Sequence, residues 1–357
     1  MAGRPRAQIG WATIRLGTLA LGIVVVGNVG SAAWLPAHPR VPEIDARNWT
    51  YQLQDYDLRQ IRESRFDLIV MDYSSTGGAD GEFTAEQIRA LRQDGPCGDR
   101  TVLAYMSIGE AEDYRFYWDP SWVDANGDPK ASAPAYLGPT NPAWEGNYKV
   151  RYWLKAWQRV IYGTAQGAGK SYLDRILDAG FDGVYLDIVD GFEYWGPREI
   201  DGTDERRKAP ADMVRFIKRL ARYARKTRGR PGFLVVPQNG AGIISADSYP
   251  DAADADKEAA RQRRRYFRVV SGIGAEDLFY VGGRDENNSL HPQNYRMKFL
   301  DQFAGAGKTV LSIDYLTRPD LIEGFWQRAT ARGYLPYATV RDLDQLTIPA
   351  GHAPTCS

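Results

Sequence analysis

The run Gly183-Val184-Tyr185-Leu186-Asp187-Ile188-Val189 constrains this chain more than any other stretch. Val184, Tyr185 and Leu186 are apolar β-formers bounded by Gly, the pattern of a short buried strand. An Asp stands where that strand should end, and Asp190, Phe192, Tyr194 and Trp195 follow it. One such Asp is ambiguous, because Asp also caps helices and forms turns. Repetition shifts the balance. Leu68-Ile69-Val70-Met71 runs into Asp72-Tyr73, and Val102 to Met106, with Tyr105 inside it, leads to Glu110. Ser271 to Ala275 runs into Glu276-Asp277, and Val310 to Ile313 into Asp314-Tyr315. Phe233 to Val236 ends in Pro237-Gln238-Asn239-Gly240. In a parallel α/β barrel such strand ends converge on one rim, where these folds carry their chemistry.

Strand-like and helix-like segments alternate along the chain. Strands are expected at Trp49 to Leu53, Leu68 to Tyr73, Thr101 to Met106, Gly183 to Asp187, Phe233 to Val236, Val269 to Glu276, Thr309 to Asp314 and Tyr334 to Tyr337. Helices are expected between them. Thr84 and Gln87 form a capping box before Ala85 to Arg92, and Met213, Phe216, Ile217 and Leu220 share one face of Ala211 to Arg225. Eight β/α units predict an α/β fold, a (β/α)8 TIM-type barrel. A long aromatic-rich insertion after strand 3, from Tyr114 to about Tyr152, reads as a loop without regular structure of its own, the kind that serves as a lid or binding loop. The expected organisation is a signal peptide or N-terminal anchor over 1–33, a Pro-rich linker over 34–42, the barrel domain over 43–345 and a C-terminal tail over 346–357.

The 357 residues carry 45 Lys+Arg against 45 Asp+Glu, so the formal net charge is zero. That argues against nucleic-acid binding through bulk positive charge. Arg4, Arg6 and Arg15, an apolar run from Leu16 to Val29 and the small residues Ser31-Ala32-Ala33 make a secretory pattern. Export is expected, with membrane contact only through an uncleaved leader. Cys97 and Cys356 are too far apart in sequence to read as a framework, and their pairing stays open. Neither Cys nor His38, His291 or His352 has metal-ligand spacing, so no metal or other cofactor is expected. Gly167 to Ser171 and Gly305 to Thr309 resemble the end of a P-loop. Both lack its leading Gly, and the second precedes a strand rather than a helix. No nucleotide is therefore expected.

Several segments together resemble glycoside hydrolase family 114, the endo-α-1,4-polygalactosaminidases. They are Leu103 to Glu112, Asn141-Pro142-Ala143-Trp144, Gly180 to Asp187, Pro237-Gln238-Asn239-Gly240 and Ser312-Ile313-Asp314-Tyr315. The resemblance spans about residues 45 to 340. It implies a TIM-type barrel, secretion, and cleavage of α-1,4-linked galactosamine polymers, with Asp187 and Glu276 matching the family's paired acids. Glycoside cleavage commonly needs two such carboxyl groups. Asp187 is expected as nucleophile and Glu276 as acid/base in a retaining, endo-acting reaction, with Asp277 raising the pKa of Glu276 by like charge. Asp72, Glu110, Asp190 and Asp314 suit the amino groups of a cationic sugar, or else bond to Tyr73, Tyr105, Tyr185 and Tyr315 around the rim. Gln238 and Asn239 suit sugar hydroxyls, and Tyr194 and Trp195 suit stacking on a sugar face. The expected partner is an amino-sugar polysaccharide, met by a monomer. A non-catalytic carbohydrate-binding barrel and a hydrolase of a neutral α-linked polysaccharide are the alternatives.

Overall fold

The computed structural model describes residues 41–163, 169–196 and 206–356. The leader, nearly all of the Pro-rich linker, and Gly167-Ala168 of the first P-loop-like segment lie outside them. All eight expected parallel strands are present among the described residues. In chain order, β1 (Trp49–Tyr51), α1 (Leu58–Glu63), β2 (Leu68–Met71), α2 (Ala85–Gln93) and β3 (Thr101–Ser107) come first. β4 (Glu110–Glu112), β5 (Leu137–Asn141) and β6 (Trp144–Val150) follow, then α3 (Lys155–Ile161) and α4 (Tyr172–Ala179). β7 (Gly183–Asp187), α5 (Gly191–Trp195), α6 (Ala209–Arg222), β8 (Leu234–Pro237), α7 (Ala255–Phe267) and β9 (Gly272–Glu276) come next. The last elements are α8 (Asn294–Gly305), β10 (Thr309–Tyr315), α9 (Pro319–Thr330) and β11 (Leu335–Thr339).

Two parallel sheets result, ordered β1-β2-β3-β7-β8 and β9-β10-β11. At one seam, Ser271 N–H donates to Val235 O and Asn239 N–H to Gly274 O, both at 2.8 Å. At the other, Trp49 Nε1 donates to Leu335 O at 2.9 Å and Leu53 N–H to Leu343 O at 2.7 Å. The register places Asp187 beside Ser107, and Glu276 beside Ile313. Parallel order therefore brings the carboxylate-bearing ends to one side of the sheets.

Local chemistry sets the element ends. The capping box forms: Gln87 N–H donates to Thr84 Oγ1 at 3.2 Å, and Thr84 N–H to Gln87 Oε1 at 2.8 Å. Gly180, with φ of 92°, ends α4 in the left-handed conformation that glycine adopts without strain. Gly305 closes α8 and Thr309 opens β10, so this P-loop-like segment is a helix-to-strand turn. Aromatic rings fill the interior between the sheets. Tyr185 lies 5.2 Å from Tyr51 and 6.4 Å from Trp49, and Trp49 lies 5.5 Å from Tyr337, between ring centroids. Gly274 makes room for this cluster, since a Cβ there would sit 1.9 Å from the Tyr185 hydroxyl oxygen.

The segment after β3 departs from expectation. It is not structureless, for β4, β6 and β5 form a small antiparallel sheet in that order. Weak hydrophobic alternation in Leu137 to Val150 hides these strands from periodicity. Several of its aromatics are packed on one another: Trp118 packs on Trp122 and Tyr148, and Tyr117 packs edge-on against Trp157, whereas Tyr114 and Trp144 are exposed. Trp195 is buried, packed against Trp153, in the short helix α5. The C-terminal residues are held to the rest: Cys356 is joined to Cys97 by a disulfide, and His352 stacks on Trp326 at 4.0 Å. Among the described residues no helix is long and apolar enough to cross a membrane.

Candidate active site

Asp187 ends β7 and Glu276 ends β9, and both side chains are partly exposed. The Tyr105 hydroxyl donates to Asp187 Oδ2 at 2.7 Å, and Ile188 N–H donates to Asp187 Oδ1 at 2.8 Å. Glu276 receives the Tyr315 hydroxyl on Oε1 and the Asn239 side-chain amide on Oε2, the latter at 3.0 Å. Burial pushes the Asp187 carboxyl up to about 8. The negative charge of Glu276 adds to the rise, and the Tyr105 hydrogen bond opposes it. The two carboxyl groups therefore interact electrostatically, and a carboxyl raised to about 8 favours its protonated form at neutral pH.

The backbone turns abruptly beside both groups. Ile188, Asn239 and Asp277 have φ of 53°, 57° and 50°. Left-handed backbone is costly for a β-branched residue such as Ile188, and clustered strain of this kind is typical of functional sites. Gly109 admits the Ile188 turn, because a Cβ there would meet Ile188 O at 2.1 Å. Asp277 turns away from Glu276, and both its carboxylate oxygens accept from Arg341 Nη2, at 2.9 and 3.1 Å. That corrects the expected role of Asp277, since Arg341 neutralises the charge assigned to it.

Three of the other expected acids are committed to internal partners. Asp72 is buried and pairs with Arg115 at 2.8 Å, and the same guanidinium pairs with Glu112 at 2.6 Å. Glu110 is buried too; Lys149 and Asn141 donate to its Oε1 at 3.1 and 2.9 Å, and Asn147 to its Oε2 at 3.3 Å. Asp314 is fully buried and accepts the backbone N–H groups of Leu278, Phe279 and Tyr280. Burial raises it to about 7 against those donors. These three bind protein groups rather than offering charge to a ligand.

Asp190 differs. It is partly exposed, and burial together with Glu276 and Glu110 lifts it to about 6, while Arg296 pulls it down. It lies three residues beyond Asp187 and stays mostly ionised at pH 7. Gln238 is buried and accepts from the Tyr51 hydroxyl at 3.3 Å, so it supports the floor. Tyr73 and Tyr185 are buried as well. The Tyr185 hydroxyl has no hydrogen-bond partner among the described residues. Tyr105 and Tyr315 reach the pair only through their hydroxyls. Tyr194 remains partly exposed, with the Lys149 ammonium 4.6 Å from its ring centroid. Among the described residues no cluster of three or more His, Cys, Asp or Glu is placed to hold a metal ion.

A family model of the GH114 glycoside hydrolases matches residues 30–352. This chain belongs to glycoside-hydrolase family GH114. An uncharacterized protein of Methanocaldococcus jannaschii, MJ1477, is 38% identical over 307 residues, which is 84% of this chain and 77% of that protein. An uncharacterized protein of Thermotoga maritima is 35% identical over 318 residues, covering 86% and 85% of the two chains. Among solved structures, the glycoside hydrolase domain of PelA from Pseudomonas aeruginosa superposes with a TM-score of 0.56 at 17% identity, over 85% of this chain and 99% of that domain. The GH114 chain is thus a glycoside hydrolase of α/β fold with parallel sheets.

Sequence reasoning missed the cations of this GH114 site. Arg115, Arg296 and Arg341 reach strand ends far from them in sequence, and no motif marks them. Tyr51 was missed as well, although the alternation of Trp49 to Leu53 does place it beside Trp49 on an inward face.

Proposed function

We propose that this protein is a secreted, endo-acting hydrolase of α-1,4-linked galactosamine-type polysaccharide, working through Asp187 and Glu276. The observation that carries the reading is the pair of carboxyl groups at the ends of β7 and β9, near enough to interact electrostatically, with Asp187 raised to about 8. Glycoside cleavage needs one carboxyl to protonate the leaving oxygen and another to attack the sugar carbon or activate water. Asp187, raised to about 8 with Glu276 as its charged neighbour, suits the acid. Each carboxyl accepts two hydrogen bonds, but only Glu276 also lies within the field of Arg341, so we take Glu276 as the nucleophile. These roles are the reverse of those expected from sequence. In a retaining course Glu276 forms the glycosyl bond as the leaving oxygen takes the Asp187 proton; Asp187 then deprotonates the water that releases the sugar.

Asp190 supports a cationic sugar. It is partly exposed, and an ammonium group beside it would add to Arg296 in offsetting its repulsion with Glu276 and Glu110. Secretion is supported by the leader pattern and by the Cys97–Cys356 disulfide, which suits an oxidising compartment. Hydrogen bonds at both seams between the two sheets support closure into a (β/α)8 barrel, with the β4–β6 sheet as an insertion after strand 3. We take the domain to span 43–345 and to act as a monomer.

The test is product release from partly deacetylated α-1,4-galactosamine polymer by wild type, Asp187→Asn and Glu276→Gln. Short oligosaccharides from wild type alone are expected. Release only from neutral α-glucans would move the substrate to the neutral class. Polymer binding without cleavage of any glycan would leave a binding barrel.

A further inference from the structure

Arg296 lies in the first turn of α8, outside the paired acids, and is half-buried against the rim. Its Nη2 donates to Asn239 Oδ1 at 2.8 Å, and its Nη1 to the Asp277 carbonyl at 3.3 Å. Asn239 Oδ1 also accepts the Glu276 backbone N–H at 3.2 Å. With its oxygen engaged by two donors, the Asn239 amide can only turn its NH2 toward Glu276 Oε2, where it sits at 3.0 Å. A reversed amide would aim its oxygen at the carboxylate and its NH2 at a guanidinium and a backbone N–H. All three contacts would then be unfavourable. The Asn239 backbone is pinned in the left-handed region by its N–H to Gly274 O, so the side-chain torsions are the freedom left.

We propose that Arg296 is a positioning residue for glycoside cleavage: its guanidinium locks the Asn239 amide in the orientation that donates to Glu276 and so holds that carboxylate at the rim. The lock bridges the ends of β8 and β9, because one arm of the guanidinium takes the Asn239 side chain and the other the carbonyl that follows Glu276. The proposal rests on the reading of Glu276 as one of the reacting pair.

Two readouts test it. The first is turnover of partly deacetylated galactosamine polymer by wild type, Arg296→Met, Arg296→Lys and Glu276→Gln. Misplacing a reacting group by about 1 Å costs on the order of a hundredfold, so Arg296→Met should lower kcat by about 10- to 100-fold. Arg296→Lys, which keeps a charged donor, should recover much of that loss. The second is the Asn239 side-chain amide in 15N-resolved NMR spectra, which needs no substrate. Wild type should show two distinct, slowly exchanging amide protons; Arg296→Met should lose them and Arg296→Lys keep them. A wild-type amide signature and wild-type kcat in Arg296→Met would overturn the lock. So would equal damage in the Lys and Met variants. If Arg296→Met fails to fold, the Lys variant decides by the same two readouts. If wild type and Glu276→Gln are equally inactive on every glycan, the functional reading falls while the amide spectra still decide the lock.

Discussion

The ends of β2 to β4 and the ends of β7 to β9 both carry buried or half-buried carboxylates, yet their electrostatics are opposite. On the first side, Asp72 and Glu112 share Arg115, and Glu110 has Lys149. Every charge there has a countercharge within 3.1 Å. On the second side, Asp187 and Glu276 have no direct ion pair among the described residues: they are met by tyrosine hydroxyls, amide N–H groups and each other, while Arg341 pairs with the neighbouring Asp277 and reaches Glu276 only through its field. Full pairing holds a carboxylate in one state and fixes structure. Incomplete pairing leaves a proton free to move, which acid–base chemistry requires. An identical sequence signal, a strand ending in an acid, thus has two outcomes, decided by whether a distant cation arrives.

Substitution on the two sides should separate these roles. The largest effect is on turnover: Asp187→Asn and Glu276→Gln should each lower kcat by about a thousandfold, within the range for general acid–base groups. Circular dichroism should show both variants folded. Arg115→Met should do the reverse. It strands Asp72 and Glu112 without a countercharge, a loss of about 3–5 kcal/mol in urea unfolding. If Arg115→Met proved neutral for stability, the contrast between the sides would collapse.

The pH dependence of stability sharpens the contrast. Asp187 titrates at about 8 when folded, against about 3.9 unfolded. Between those values the folded state binds a proton that the unfolded state has released. Stability from this group is therefore full below pH 4 and is lost as pH rises toward 8. Asp187→Asn cannot ionise, so its unfolding free energy should fall less steeply from pH 5 to pH 8 than that of wild type. Equal slopes would show that Asp187 is already ionised in the folded state.

Much of the fold was legible because it rests on short-range signals. Buried runs such as Val184 to Leu186, the Thr84–Gln87 capping box and the Gly180 helix stop are local, and each forms as expected. The expected Asp187 and Glu276 do come to strand ends on one side. What stayed hidden depends on long-range reach. Arg115 meets Asp72 across 43 residues, and Arg341 meets Asp277 across 64. Without Arg115 in view, Asp72 looked as available to a ligand as Asp190, and so did Asp314, whose backbone donors at Leu278, Phe279 and Tyr280 lie 34 to 36 residues away. The β4–β6 sheet was missed for another reason. Its strands carry polar residues such as Thr140, Glu145 and Asn147, which a small sheet can keep partly or fully exposed.

A moderate effect is expected at the aromatic floor. Gly274→Ala places a methyl group 1.9 Å from the Tyr185 hydroxyl oxygen and 2.4 Å from its ring. Overpacking of this kind costs about 1–3 kcal/mol. The displaced Tyr185 lies two residues before Asp187 on the same face of β7, so activity should fall along with stability. A variant as stable as wild type in urea would mean that the interior is looser than the ring contacts imply.

The smallest change is the most informative about roles. Tyr105→Phe removes one donor to Asp187 and nothing else at the pair. A hydrogen bond of this kind is worth about 0.5–1.5 kcal/mol, which corresponds to roughly half to one pH unit in the group it supports. Its loss destabilises the charged carboxylate, so the Asp187 pKa should rise further. If Asp187 is the acid, it sets the alkaline limb of the kcat/KM profile. Tyr105→Phe should then move that limb upward and leave the rate at pH 7 nearly intact. If Asp187 is instead the nucleophile, its pKa sets the acidic limb. The same variant would push that limb upward and lower the rate at pH 7. The two limbs move independently in a bell-shaped profile, so one pH titration of wild type and Tyr105→Phe assigns the proton to Asp187 or takes it away.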